Sequence, residues 1–173
     1  MISLIQRAAD LHWLAFLLTG DRETSIQIAE ETLGADDGAN AFFSRWLAGW
    51  SRRVTIARAT AAIRKELAES AHRVRSMSVQ TRVLPGRTWV LDESTTKLEL
   101  ERALLMIDVF PRAVVLLLIF EGMAPADAAV LLDVSDSLVR NAQAIGVREL
   151  TANLAHLQGW RSSNALKLEL QHA

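Results

Sequence analysis

The stretch that decides the fold is EGMAPADAAVLLDVSDSLVRNAQAIGVREL, from Glu121 to Leu150. Pro125 suits the first turn of a helix, because the N–H that proline lacks would have no partner there. Asp133 and Val134 fall where a turn is expected, and Ser135 offers an N-cap oxygen to a second helix. Small or apolar residues then recur at helical spacing at Val139, Ala142, Gly146 and Leu150. A short helix, a tight turn and a second helix form the helix-turn-helix pattern.

Helical patterns continue on both sides of this stretch. Leu98 to Phe110 is amphipathic, and Pro111 marks the start of another helix. The run from Val114 to Phe120 is apolar nearly all round, as expected for a buried central helix. Beyond Leu150 the helical pattern fades near Gly159. The sequence therefore predicts a helical domain over residues 98–158, followed by a tail over 159–173.

The N-terminal part of the chain predicts a second group of helices. A helix from about Ile2 to Leu18 ends at Gly20, since glycine readily takes the left-handed conformation of a helix stop. Asp21 can cap a second helix that reaches Leu33, and a longer helical pattern follows after a polar segment. The periodicity fails from about Ser70. We predict an all-α protein with two small helical domains, residues 1–75 and 98–158, joined by a linker over residues 76–97.

Composition restricts the class of protein. Half of the 173 residues are hydrophobic, with eight glycines, three prolines and no cysteine. An ordered, helical chain without disulfides or a thiolate metal site is expected, and this composition suits the cytoplasm. The longest apolar run, Ala113 to Phe120, is far below the ~20 residues needed to span a bilayer, so no membrane insertion is expected. The N-terminus also lacks the basic-then-apolar order of a secretion signal.

Catalytic motifs are missing from the sequence. Four histidines are scattered, without carboxylates at a metal-binding spacing. Neither a glycine-rich phosphate loop nor a nucleophile motif is present. We therefore expect neither a metal nor another cofactor, and we do not expect an enzyme.

The net charge of −1 hides a strong segregation of charge along the chain. Residues 45–87 carry ten basic and two acidic residues, whereas both flanking parts are acidic. A basic middle segment can steer polyanions to one surface. It can equally be a solvated, arginine-rich helix face, and charge alone does not separate these interpretations.

Two stretches resemble one known family. FPRAVVLLLIFEGMAPADAAVLLDVSDSLV, from Phe110 to Val139, resembles the C-terminal DNA-binding region of extracytoplasmic-function (ECF) RNA polymerase sigma factors. LTGDRETSIQIAEETL, from Leu18 to Leu33, resembles the LTGD…AEDLVQETF pattern of the same family. The resemblance implies a sigma factor that binds RNA polymerase core and promoter DNA to direct transcription initiation. It also implies an anti-sigma factor as a candidate partner.

The resemblance assigns roles to individual residues. Polymerase-binding roles fall on Ile28, Glu31 and Thr32. DNA-binding roles fall on Arg52, Arg53 and Arg58 in the basic segment, since arginines contact phosphates beside unpaired bases. In the recognition helix they fall on Ser135, Ser137, Arg140, Asn141 and Arg148. A helix of this kind enters the major groove of DNA.

Some residues depart from the family pattern and support a second hypothesis. Ala142 and Ile145 stand where arginine is common in the family, and Asp133 replaces the glycine of the turn. These departures favour a diverged sigma-like regulator that acts through protein–protein contacts without promoter recognition. The basic segment and the LTGD stretch favour a working sigma factor. A third hypothesis is a helical scaffold without a nucleic-acid role.

Overall fold

Helices form all the regular secondary structure of the described residues. The structure is a computed structural model that describes residues 4–34, 44–77 and 95–170, with side chains described for 5–33, 49–77 and 95–159. The helices are α1 (Leu4–Thr19), α2 (Arg22–Gly34), α3 (Ser44–Ala62), α4 (Arg64–Ser76), α5 (Lys97–Leu105), α6 (Val109–Val115), α7 (Pro125–Leu132) and α8 (Asp136–Leu170). No strand occurs in these ranges, so the predicted all-α class is confirmed.

The boundary between α1 and α2 is formed as the sequence predicts. Gly20 has a φ of 73° and ends α1 in the left-handed region. Asp21 caps α2, because its Oδ1 accepts a hydrogen bond from the Thr24 N–H at 2.7 Å. Hydrogen bonding from the Thr24 side chain, together with the bond from its backbone N–H, lowers the pKa of Asp21, since both favour the carboxylate.

Helix α4 extends past the point where the periodicity was expected to fail. It runs to Ser76, and its buried side chains are Leu67, Ser70, Ala71 and Val74. These four residues lie on one helical face, but two of them are small and one is polar. The face therefore gives a weak hydrophobic signal in the sequence, although it packs well.

The helix predicted from Leu98 to Phe110 is wrong at its C-terminal end. Helix α5 stops at Leu105, and α6 begins at Val109 rather than at Pro111. Asp108 is the N-cap of α6, since its carboxylate accepts a hydrogen bond from the Val109 N–H at 2.9 Å. Pro111 fits the first turn of α6, where backbone N–H groups have no partner within the helix.

The predicted central helix is buried over most of its length, but not at its end, where Leu118 and Phe120 are half-buried and Ile119 is 47% exposed. Residues 110–117 are all buried, and α6 continues into a π-helical turn over Leu116–Phe120. The Glu121 N–H donates to the Leu116 carbonyl at 3.0 Å, which closes that wider turn. Gly122, with a φ of 65°, then redirects the chain towards α7.

One hydrophobic core joins residues of both predicted domains. Leu14 and Leu18 of α1 and Val74 of α4 belong to the same buried cluster as Phe110 and Val114 of α6. The two halves, residues 4–77 and 95–170, are therefore packed against each other in a closed arrangement. Most of the predicted linker, residues 78–94, lies outside the described residues, and the domain boundaries remain a prediction.

Helix α8 is longer than the sequence indicates. It spans 35 residues and continues through Gly159 into the predicted tail. Two hydrogen bonds hold it beside α5. The Asn153 amide donates to the Ala103 carbonyl at 2.9 Å, and the Gln158 amide donates to Thr95 Oγ1 at 3.1 Å.

Candidate nucleic-acid and partner interface

The turn between α7 and α8 is built by three residues. Asp133 adopts the left-handed conformation, with φ 54° and ψ 51°. Aspartate tolerates this region better than most residues do, so it can stand where the resembled family has glycine. The Val134 N–H donates to the Ala129 carbonyl at 3.0 Å, and Ser135 Oγ accepts from the Leu138 N–H at 3.3 Å. Local capping chemistry thus fixes the point at which α8 begins.

The predicted recognition residues lie on the solvent side of this turn and of α8. We call them the α8 face: they are exposed, and they are Ser135, Ser137, Arg140, Asn141 and Arg148. The opposite side of α8 is buried through Leu138, Val139, Ala142, Ile145 and Leu150. The helical period therefore separates a packed side from a polar side.

Ala142 and Ile145 belong to the packed side of α8. An arginine at either position would not reach solvent from this helix without disturbing the core. The α8 face consequently loses no charge through these two substitutions, although the sequence alone suggests that it does.

Gly146 sets the distance between α8 and the central helix. A Cβ atom at this position would lie 2.5 Å from Val115 Cγ2 and 2.8 Å from the Pro111 carbonyl oxygen. Side chains do not approach a backbone carbonyl so closely without displacing one of the helices. Glycine therefore allows α8 to lie against α6 and orients the α8 face outward.

The α8 face carries little free positive charge. Arg140 Nε donates to Asp136 Oδ2 at 2.8 Å, one turn earlier on the same helix. Both side chains are exposed, so this pair is weak and screened by water. Arg148 is exposed and makes no ion pair with the residues that the structure describes.

The predicted DNA-binding arginines of α3 are mostly engaged within the protein. We call Arg52, Arg53 and Arg58 the α3 arginines. Arg52 forms two hydrogen bonds with the Glu121 carboxylate, one of them from Nε at 2.9 Å. The Arg52 side chain is 43% exposed and that of Glu121 only 10%. The hydrogen bond to Glu121 raises the pKa of Arg52 above its usual value.

The other two α3 arginines differ from each other. Arg58 forms an ion pair with Glu31 of α2. Arg53 is exposed and has no ion-pair partner within the described ranges. It lines a cleft of about 970 Å³ between α3 and the segment that follows the π-helical turn, together with Ile56, Phe120 and Met123. One of the three arginines is thus available to a ligand in the closed arrangement.

The predicted polymerase-binding residues face two directions. Ile28 and Thr32 are buried, with 5% and 0% exposure. The Thr32 hydroxyl donates to the Ile28 carbonyl at 2.7 Å, so it is satisfied within α2. Glu31 is exposed and is the member of this group that a partner can reach directly.

Sequence reasoning missed the polar contacts between the two halves. Arg73 of α4 forms a bidentate pair with Asp108, at 2.9 and 2.8 Å. This hydrogen bonding lowers the pKa of Asp108. The Trp13 indole N–H donates to Glu101 Oε2 at 2.9 Å, and Lys97 Nζ lies 4.6 Å from the centre of the Trp13 ring. The residues of each pair are too far apart in the chain for a local sequence motif to predict the contact.

Two further properties of the described residues bear on function. No group of three or more acidic, histidine or cysteine side chains among them is arranged to hold a metal ion. None of the helices in the described ranges has the length and apolar character needed to cross a bilayer.

Comparison with solved structures finds structural neighbours of this chain. No protein-family model matches the chain, and no curated protein matches it. The chain is similar to a solved structure described as the co-crystal structure of the sigma factor RpoE in complex with the anti-sigma factor NepR from Bartonella quintana. The TM-score is 0.49 and the sequence identity 16%, over 87% of this chain and 93% of that chain. A similarity at this level assigns no role to individual residues of this chain.

Proposed function

We propose that this protein is a sigma-factor-like regulator of transcription initiation that binds RNA polymerase core and promoter DNA. The observation that carries the proposal is the exposed α8 face, which follows a three-residue turn and stands opposite a fully packed side. The helix-turn-helix interpretation belongs to this proposal. Independent support comes from the two sequence stretches that resemble ECF sigma factors.

The chemistry of the α8 face suits base contacts better than phosphate contacts. Asn141 can bond both hydrogen-bonding groups of an adenine edge, and Arg140 can bond a guanine edge. The face holds only two arginines, so it releases few counterions on binding. We expect DNA affinity from this face alone to be low and its salt dependence shallow.

Promoter contact by Arg52 requires the two halves to separate. Arg52 is bonded to Glu121, a residue of the other half, so it cannot reach a phosphate in the closed arrangement without losing that partner. Arg58 is held by Glu31, which is also the exposed member of the predicted polymerase-binding group. We propose that polymerase binding at Glu31 releases Arg58, and that opening releases Arg52.

The alternative is a diverged sigma-like regulator that acts through protein–protein contacts. The internal pairing of Arg52, Arg58 and Arg140 favours it, because paired arginines attract DNA weakly. An anti-sigma factor is a candidate partner under either hypothesis, as the resemblance to ECF sigma factors implies.

Two successive measurements distinguish the two proposed functions. Purified RNA polymerase core is first captured on the immobilised protein, and the complex is then used for run-off transcription from fragmented genomic DNA of the source organism. Binding with defined start sites supports the sigma-factor proposal. Binding without transcripts supports the alternative, and no binding to core contradicts the sigma-factor proposal.

A further inference from the structure

Arg112 of α6 is a buried cation at the junction of the two halves. Its side chain belongs to a residue that is only 5% exposed, and its guanidinium reaches the C-terminal ends of two helices. Arg112 Nη2 donates to the Leu18 carbonyl of α1 at 3.3 Å, and Nη1 donates to the carbonyls of Leu105 and Ile107 at 3.4 Å each. Helix C-termini carry partial negative charge, so this position is electrostatically reasonable.

The charge of Arg112 is poorly compensated. All three hydrogen bonds lie beyond the usual N–H···O range, and the Nε–H has no partner among the described residues. No carboxylate of the described residues forms an ion pair with it, and the nearby Asp108 is already bonded to Arg73 and to the Val109 N–H. Burial accordingly lowers the pKa of Arg112.

The turn after α1 is shaped to admit this guanidinium. Gly20 has a positive φ, and a Cβ atom placed there would lie 3.3 Å from Arg112 Nη2. A larger residue would crowd the guanidinium as well as strain the backbone. The two halves therefore meet here at a point where a charged group is buried.

Closure thus combines opposing contributions. The pairs Arg52–Glu121 and Arg73–Asp108 join the halves where water still reaches them, and each cation has a carboxylate. Arg112 lies between the halves with weak carbonyl partners only. A buried charge without a good partner destabilises the state that buries it, whereas the same charge is hydrated when that state opens.

We propose that Arg112 limits the stability of the closed arrangement, so that the two halves separate readily when a partner competes for either one. The inference goes beyond the proposed function, because it concerns a conformational equilibrium of the free protein. It stands or fails whether or not the protein binds polymerase or DNA.

The test measures the distance between the halves in the isolated full-length chain. The chain has no cysteine, so Glu23→Cys in α2 and Ala152→Cys in α8 can carry a fluorophore pair for single-molecule energy transfer. A Glu121→Gln background removes the carboxylate partner of Arg52 and raises the open population to a measurable level. In that background we compare Arg112→Gln, Arg112→Met and the control Arg102→Met, which removes an exposed arginine of α5.

The two Arg112 variants separate charge from hydrogen bonding. Glutamine keeps an N–H donor without the charge, and methionine removes both. We expect each to lower the ratio of open to closed molecules at least tenfold, while Arg102→Met leaves it within twofold.

Other outcomes overturn the inference. An unchanged or larger open population in both Arg112 variants would mean that the carbonyl contacts outweigh the cost of burying the cation. Failure of both variants to fold, with a folded control, would mean that the cation supports the core. A background protein without a detectable open population would mean that Arg112 does not make closure marginal.

Discussion

The α8 face and the α3 arginines have the same predicted role but different surroundings. The α8 face lies open to solvent, and its one ion pair is local to the helix. Two of the three α3 arginines are bonded to carboxylates of other segments: Arg58 to Glu31 of α2, and Arg52 to Glu121 of the other half. The more strongly basic region is therefore the less available one. The number of basic residues in a sequence indicates which ligands a surface can attract. The packing of the fold determines whether those residues are free to bind them.

The largest expected effect tests whether the α3 arginines act on DNA at all. Replacing Arg52, Arg53 and Arg58 together with alanine removes three phosphate contacts, so we expect promoter opening to fall at least about 100-fold. Core binding should stay intact, because the three residues are not the proposed polymerase contacts. Permanganate footprinting measures opening, and capture of core measures binding. Unchanged opening would show that the α3 arginines are not part of the proposed interface. The control is Arg22→Ala, which removes an exposed arginine of α2.

A change at Gly146 tests how the α8 face is positioned. Gly146→Ala forces a methyl group against Val115 and the Pro111 carbonyl, so we expect the free energy of unfolding to fall by about 1–3 kcal/mol. Gly159→Ala in the same helix meets no atom within 4 Å and should instead gain up to ~1 kcal/mol from helix propensity. Urea denaturation of both variants gives the comparison. Equal effects would show that α8 does not depend on close contact with α6.

A change at Glu121 tests whether the difference between the two regions can be reduced. Glu121→Gln removes the carboxylate that holds Arg52, so Arg52 becomes available to phosphate. We expect non-specific duplex affinity to rise several-fold and the slope of log K against log salt to steepen by about 0.9, one additional phosphate contact. Fluorescence anisotropy over a salt series measures both quantities. Glu23→Gln removes an equal charge from α2 and should leave the slope unchanged.

The smallest expected effect concerns the exposed contact between the halves. Arg73 lowers the pKa of Asp108, so the carboxylate is favoured in the folded protein. Its contribution is therefore present above the unfolded pKa and is lost as the pH falls through the lower folded pKa. Because both side chains are substantially exposed, we expect less than about 1 kcal/mol. Asp108→Asn and wild type should differ in unfolding free energy at pH 7, and the difference should narrow as the pH falls towards 3.

The sequence predicts local structure better than it predicts the state of the site. Pro125 and Ser135 mark the starts of α7 and α8 through first-turn and capping chemistry, which depends on near neighbours. The exposed side of α8 follows from its helical period. By contrast, Arg52 meets Glu121 across 69 residues, and no local rule gives such a pair.

The resemblance alone does not tell which of its assigned residues are exposed. It assigns polymerase contacts to Ile28 and Thr32, which are buried, and it treats Ala142 and Ile145 as lost DNA contacts although they are core residues. Arg112 shows the opposite case. A lone arginine within an apolar run is a visible signal, but its burial against two helix ends appears only in the fold.

The length of α8 has a mechanical consequence. A helix of 35 residues is a rod about 52 Å long, and Asn153 lies about 18 Å along it from Asn141. Asn153 fastens the rod to α5 and Gln158 fastens it to Thr95, just before α5, whereas Gly146 lets it lie against α6. The contact at Gly146 can therefore act as a pivot, with α5 on one arm and residues 135–141 of the α8 face on the other. A partner that shifts α5 would tilt the α8 face without touching it.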